Sequence, residues 1–216
     1  MSDRSLVSPE LRARVRLVAV PIALLLGKLG LTPNALTIVG FLGTCVAAIA
    51  AASQAWVLAG VLVIAFGIFD LFDGALARAT GQASRFGAFL DSTLDRTGES
   101  LVLAGVAYGC AAGGLAVGAG LAALALTFAS VVTYTRAKAE ALGVHGEVGV
   151  APRPERLVIL AAGLVLAGIL GGVSPAAEIR SGSVALAIAL GIIAVLSAIT
   201  VIQRIVHVRE QLDNTQ

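Results

Sequence analysis

Charged residues are scarce in this 216-residue chain, since Asp, Glu, Lys and Arg together make up only 13% of it. A soluble domain carries about 25% charged residues, so the composition argues against a water-soluble fold. The only two cysteines, Cys45 and Cys110, lie in apolar stretches and are interpreted as small buried hydrophobic residues. The net charge of +2 is too small to indicate nucleic-acid binding.

Hydrophobic residues account for 58% of the chain, and the mean hydropathy is +0.96. This composition is typical of an integral membrane protein, which we expect to form a single domain over residues 1–216. Residues 1–16 are charged and polar, and no short apolar core with a small-residue cleavage site follows them. We therefore expect no cleavable signal peptide.

A helix of about 20 apolar residues is long enough to cross the ~30 Å hydrocarbon core of a bilayer. The apolar stretches predict an all-α protein with six transmembrane helices, at about 34–52, 56–79, 84–111, 116–142, 154–172 and 183–206. Before them, the sequence Ser-Pro-Glu at 8–10 is typical of a helix start. We expect an interfacial helix over about 8–29, with a short first span as the alternative.

Cationic residues are distributed unequally between the two ends of these spans. Six spans place both termini and the loops after spans 2 and 4 on one side, which then holds every one of the 15 Lys and Arg residues except Arg180. Because the side richer in Lys and Arg is cytoplasmic, we expect a multi-pass plasma-membrane protein with both termini and the turn after span 2 in the cytoplasm.

Four aspartates interrupt the apolar pattern. Asp70 and Asp73 are three residues apart near the end of span 2, and Asp91 and Asp95 are four apart in span 3, so each pair shares a helix face. A turn centred near 81–82 makes the two spans an antiparallel hairpin and places the four carboxylates at similar depth. We expect no fixed positive charge among them, so they repel one another unless cations bind.

Oxygen ligands without His or Cys suit Mg²⁺ or Mn²⁺, and four carboxylates can hold a pair of ions. The sequence therefore predicts a metal site on the hairpin. An alternative is that these carboxylates line an ion or proton path, as in an ion-coupled transporter.

The pattern D-x-x-D-G-x-x-A-R, followed by G-x-x-x-D-x-x-x-D, occupies residues 70–95. All eight of its fixed positions resemble the signature of the CDP-alcohol phosphotransferase family, also called CDP-alcohol phosphatidyltransferases. The resemblance implies six transmembrane helices, an N-terminal interfacial helix and a homodimer. It also implies transfer of a phosphatidyl group from CDP-diacylglycerol to an alcohol, with release of CMP.

The resemblance further implies roles for individual residues. Asp70, Asp73 and Asp91 would be metal ligands, and Asp95 would contact a second ion and act as the catalytic base that takes the proton of the acceptor hydroxyl. Binding of the CDP-lipid is implied for Thr32, Pro33, Asn34, Ala35, Gly74, Arg78 and Ser84.

Five cationic residues at the cytoplasmic ends of spans 4, 5 and 6 are candidates to bind an anionic acceptor: Arg136, Lys138, Arg153, Arg156 and Arg204. The patterns around them, Y-T-R-A-K-A-E-A-x-G and R-P-E-R-L, are similar to those of family members that use inositol phosphate, the phosphatidylinositol phosphate synthases of actinobacteria and their archaeal counterparts. Inositol phosphate is thus the expected acceptor. The alternative is phosphatidylglycerophosphate synthesis or the reaction of another CDP-alcohol phosphotransferase. Plain positive-inside anchoring is a further alternative for Arg136, Arg153 and Arg204.

Overall fold

The computed structural model describes residues 20–175, 178 and 180–213. This part of the chain is helical and contains no β-strand, as the apolar pattern predicts. A helical segment, α1, covers residues 20–28. Six longer helices follow it: α2 Pro33–Ala52, α3 Trp56–Ala79, α4 Arg85–Ala112, α5 Ala116–Ala141, α6 Arg153–Ile169 and α7 Ser181–Asp213.

The bounds of these helices agree with the predicted spans to within a few residues, apart from α7, which continues further to Asp213. Two helix starts follow the local sequence. The Thr32 hydroxyl accepts a hydrogen bond from the backbone N–H of Ala35 at 3.2 Å, and the Ser84 hydroxyl accepts one from Gly87 at 3.0 Å. These are ordinary N-caps, and they fix where α2 and α4 begin.

Four of the helices, α2, α3, α5 and α7, are long and apolar enough to cross a membrane. The other two differ because α4 carries charged residues in its first half and α6 is only 17 residues long. The four apolar helices mark a membrane protein. The interfacial helix predicted for 8–29 lies largely outside the described residues.

The six longer helices form a ring in the order α2, α3, α6, α7, α5, α4 and back to α2, in which each packs against its two neighbours. Although α3 and α4 are consecutive in sequence, both pack against α2 rather than against each other. The predicted hairpin therefore has α2 inserted between its two arms. Side chains from the start of α2 can reach the aspartates on either arm.

Alanine predominates in the core of this ring. Glycine replaces alanine where the backbones of α4 and α2 come close together. A Cβ at Gly105 would lie 2.3 Å from the carbonyl oxygen of Ala48. Large apolar side chains instead point outward, for example Leu42, Val46 and Ile49 on α2. Small residues between helices and large ones outside are expected where lipid rather than water surrounds the bundle.

Candidate active site

A cleft of about 220 Å³ opens where the end of α3, the loop at 80–84 and the starts of α2 and α4 meet. Two of the four motif aspartates are in its walls. The full lining is Pro33, Asn34, Thr37, Asp73, Gly74, Ala77, Arg78, Gln82, Ala83, Ser84, Gly87, Ala88 and Asp91.

Asp73 is held in a fixed orientation by its neighbours. Its side chain is buried, with 6% of the residue exposed. The Thr37 hydroxyl donates a hydrogen bond to Oδ2 at 2.7 Å, and the backbone N–H of Gly74 donates to Oδ1. Because Thr37 belongs to α2, the inserted helix orients this carboxylate towards the cleft.

Asp91 presents an unsatisfied oxygen. Its Oδ1 atom is buried and has no hydrogen-bond partner. Leaving a buried carboxylate oxygen without a donor or cation is costly. This oxygen is therefore available to a ligand in the cleft.

Asp70 and Asp95 are bridged by an arginine. Nη1 of Arg153, the first residue of α6, donates to Oδ2 of both carboxylates. All three side chains are largely buried, with 27% of Arg153, 26% of Asp70 and 18% of Asp95 exposed. The expectation that no fixed positive charge lies among the aspartates is therefore wrong. Arg153 follows Asp95 by 58 residues, and only the packing of α6 in the ring brings the two together.

The four aspartates fit a divalent cation in their donor chemistry, since they supply only carboxylate oxygens. As the side chains lie, no group of three or more acidic, His or Cys residues in the described part of the chain is arranged to hold a metal ion. Arg153 instead supplies the positive charge at Asp70 and Asp95. A cation bound by all four aspartates would therefore share Asp70 and Asp95 with Arg153, whereas Oδ1 of Asp91 is free of any partner.

Most of the residues predicted to bind the CDP-lipid line the cleft, namely Pro33, Asn34, Gly74, Arg78 and Ser84. The Arg78 guanidinium folds back towards Gly74, where a Cβ would lie 3.2 Å from Nη1. A Cβ at position 74 would therefore crowd the Arg78 guanidinium.

Thr32 and Ala35 do not line the cleft; they bond to each other at the N-cap of α2. Sequence analysis missed Thr37, Gln82 and Gly87 as lining residues. Gly87 could have been found from its fixed place in the motif. A threonine in an apolar helix gives no comparable indication.

The five candidate acceptor-binding residues have different surroundings. Arg136 forms ion pairs with Glu140 and Glu147, and its side chain is 41% exposed. Lys138 is exposed. Arg156 is buried and paired with Glu99.

Arg204 is also buried, but its partners are backbone carbonyls. It donates from Nε to the oxygen of Val148 at 2.8 Å and from Nη1 to that of Val132. Sequence analysis placed all five at three neighbouring helix ends. Of these five residues, Arg153 is the one that donates hydrogen bonds to motif aspartates.

The loop between α5 and α6 is held against α7 through its backbone. Gln211 binds both the N–H and the carbonyl of His145, Gln203 accepts from Val150, and Thr200 accepts from Ala151. These α7 residues recur at helical spacing and so share one face. The loop is thus bonded to α7 as far as Ala151, two residues before Arg153.

The sequence profile of the CDP-alcohol phosphatidyltransferase family matches residues 30–207. The chain belongs to this family. It is 39% identical over 191 residues to a phosphatidylinositol phosphate synthase of Cutibacterium acnes, covering 88% of this chain and 91% of the relative. It is 36% identical over 205 residues to an archaetidylinositol phosphate synthase of Pyrococcus horikoshii, covering 94% and 97%.

Solved structures of Mycobacterium tuberculosis phosphatidylinositol phosphate synthase share the fold. The one with bound CDP-DAG has a TM-score of 0.77 at 32% identity and covers 88% of this chain and 93% of that one. A second, in complex with manganese and citrate, also has a TM-score of 0.77 at 32% identity, with 88% of each chain covered. The predicted family is therefore confirmed, and the chain is a phosphatidyltransferase rather than an ion-coupled transporter.

Proposed function

We propose that this enzyme transfers the phosphatidyl group of CDP-diacylglycerol to inositol phosphate, yielding phosphatidylinositol phosphate and CMP. The observation that carries the proposal lies at one end of the bundle, where α2, α3, α4 and α6 meet. There a cleft of about 220 Å³ adjoins the four motif aspartates and Arg153. The named relatives, which match almost the whole chain, are synthases of inositol phosphate lipids.

The cleft provides for the donor. Arg78 can pair with a phosphate, and the absence of a side chain at Gly74 and Gly87 lets a nucleotide approach the helix backbones. Mg²⁺ or Mn²⁺ would be held by the four motif aspartates, Asp70, Asp73, Asp91 and Asp95. Four carboxylates can hold a pair of such ions. A bound divalent cation would neutralise the diphosphate and the charge that develops on CMP.

The transfer exchanges one phosphorus–oxygen bond for another. The acceptor hydroxyl oxygen attacks the phosphorus that carries the diacylglycerol, the bond to the bridging oxygen of the diphosphate breaks, and CMP leaves with that electron pair. Asp95 takes the proton of the hydroxyl. Asp95 lies next to Arg153, on the side of the cluster that faces α6.

Acceptor binding is proposed for Arg153, with Arg204, Arg136 and Lys138 from the neighbouring helix ends. Nε of Arg153 is buried without a partner, so this side chain has an unused donor beside the cluster. Arg204 donates to backbone carbonyls rather than to a carboxylate, so these hydrogen bonds leave its positive charge unneutralised. Arg156 is left out because Glu99 and Ala151 already accept from three of its donor nitrogens.

The proposed setting is the plasma membrane. Six spans, with α1 in the interface, would place the cleft and both termini in the cytoplasm, because the cationic residues gather at that side. A homodimer is proposed from the family resemblance.

The deciding experiment measures release of radiolabelled CMP from CDP-diacylglycerol by the purified protein in detergent. Inositol phosphate, glycerol 3-phosphate, serine and inositol are compared as acceptors at equal concentration, with Mg²⁺ and with a chelator. We expect transfer to inositol phosphate that depends on a divalent cation. Preference for glycerol 3-phosphate would refute the inositol assignment and leave the reaction class intact.

A further inference from the structure

A fully buried ion pair lies one helical turn behind the active-site bridge. Arg156 donates from Nε to Oε1 of Glu99 at 2.8 Å and from Nη2 to Oε2 at 2.9 Å. The side chains are only 3% and 6% exposed. This two-bond geometry holds the guanidinium and the carboxylate in one plane and tolerates little displacement.

The pair repeats the bridge that the site uses. Glu99 lies four residues after Asp95 on α4, and Arg156 lies three residues after Arg153 on α6, so both members are displaced by one turn in the same direction. The two helices are not neighbours in the ring, because α4 packs against α2 and α5 while α6 packs against α3 and α7. Long charged side chains therefore span the distance that backbone packing leaves between them.

A third bond of Arg156 ties the pair to the start of α6. Its Nη1 donates to the carbonyl oxygen of Ala151 at 2.9 Å, and the N–H of Ala151 donates to the Thr200 hydroxyl at 3.2 Å. Ala151, two residues before Arg153, is thus held by Arg156 of α6 on one side and by Thr200 of α7 on the other. Glu99 then links this junction to α4.

We propose that Glu99 and Arg156 are positioning residues, which fix the height and rotation of the start of α6 so that Arg153 meets Asp70 and Asp95. The two arginines of the R-P-E-R sequence thereby have different tasks, one at the reacting groups and one behind them. The use of acceptor kinetics as the readout rests on the proposed function.

The test compares Glu99→Gln with wild type and with Ser183→Ala, measured well below their unfolding temperatures. Ser183 is a suitable control because its hydroxyl is also buried and accepts a hydrogen bond from the backbone N–H of Ser174. It lies in the first turn of α7, at the opposite end of this helix from Arg204. Glu99→Gln should lower kcat/KM for inositol phosphate by about ten- to a hundredfold, as expected for a misplaced binding group. The KM of Glu99→Gln for CDP-diacylglycerol should stay near the wild-type value. The Ser183→Ala control should keep a wild-type kcat/KM for inositol phosphate.

A double-mutant cycle separates positioning from general support of the fold. If Glu99 acts through Arg153, Glu99→Gln should cause little further loss in an Arg153→Ala background, whereas independent effects multiply. Should Glu99→Gln not fold, Arg156→Lys replaces it, because it keeps the charge and loses the two-bond geometry.

Either of two results overturns the inference: a wild-type acceptor kcat/KM in the folded variant, or multiplicative losses in the cycle. Both require a wild type that transfers to inositol phosphate. If the wild type transfers only to another acceptor, the proposed function fails and the same cycle is run with that acceptor.

Discussion

Removal of Arg153 should make the stability of this protein depend on divalent cations. In Arg153→Ala, Asp70 and Asp95 lose the guanidinium nitrogen that they share and face each other without a counter-charge. A charge-assisted hydrogen bond contributes about 1.5–3 kcal/mol. With roughly a quarter of Arg153 and Asp70 exposed, solvent screening reduces the two bonds together to about 2–3 kcal/mol.

This loss is large enough to measure. For chains of about 150–250 residues, 1 kcal/mol corresponds to about 2–4 °C in Tm, so the variant should unfold about 4–12 °C below wild type in a chelator. With Mg²⁺ or Mn²⁺ present the difference should shrink, because a cation at the aspartates supplies the missing charge. Thermal unfolding in detergent, followed by the fluorescence of the single tryptophan, reports both conditions.

Arg209→Ala is the matched control, since Arg209 also pairs with an aspartate but its side chain is 81% exposed. Exposed pairs of this kind contribute about 0–1 kcal/mol, so its Tm should hardly change in either condition. An equal loss of Tm for Arg153→Ala with and without divalent cations would refute the idea that Arg153 and a cation compete for these carboxylates.

Two other substitutions test the metal site and the packing. Asp91→Asn should abolish CMP release and weaken Mn²⁺ binding, because it removes charge from the aspartate with the free buried oxygen; CMP release near the wild-type rate would contradict a ligand role. Gly105→Ala should lower Tm by forcing α4 away from Ala48, whose carbonyl oxygen would lie 2.3 Å from the new Cβ, whereas Gly191→Ala, which meets nothing within 4 Å, should not. Equal Tm values for these two variants would show that the close approach of α2 and α4 contributes nothing to stability.

The extent of the helices and the family were predictable from the sequence. Apolar runs and their interruptions place helix bounds directly, because in lipid a spanning segment must satisfy its backbone hydrogen bonds internally. Thr32 and Ser84 mark the starts of α2 and α4 for the same local reason, since an N-cap involves residues only three apart. The eight-position motif indicated the reaction class, which the family match confirms.

The partners of the charged side chains were decided by the tertiary structure. Asp70 and Asp95 meet Arg153 from 83 and 58 residues away, and nothing local to either aspartate indicates that contact. Helical spacing groups the carboxylates on their own helices but does not say which other helix enters the ring beside them. Arg153 and Arg156 are three residues apart and alike in chemistry. They have different partners only because α6 turns one towards Asp70 and Asp95 and the other towards Glu99.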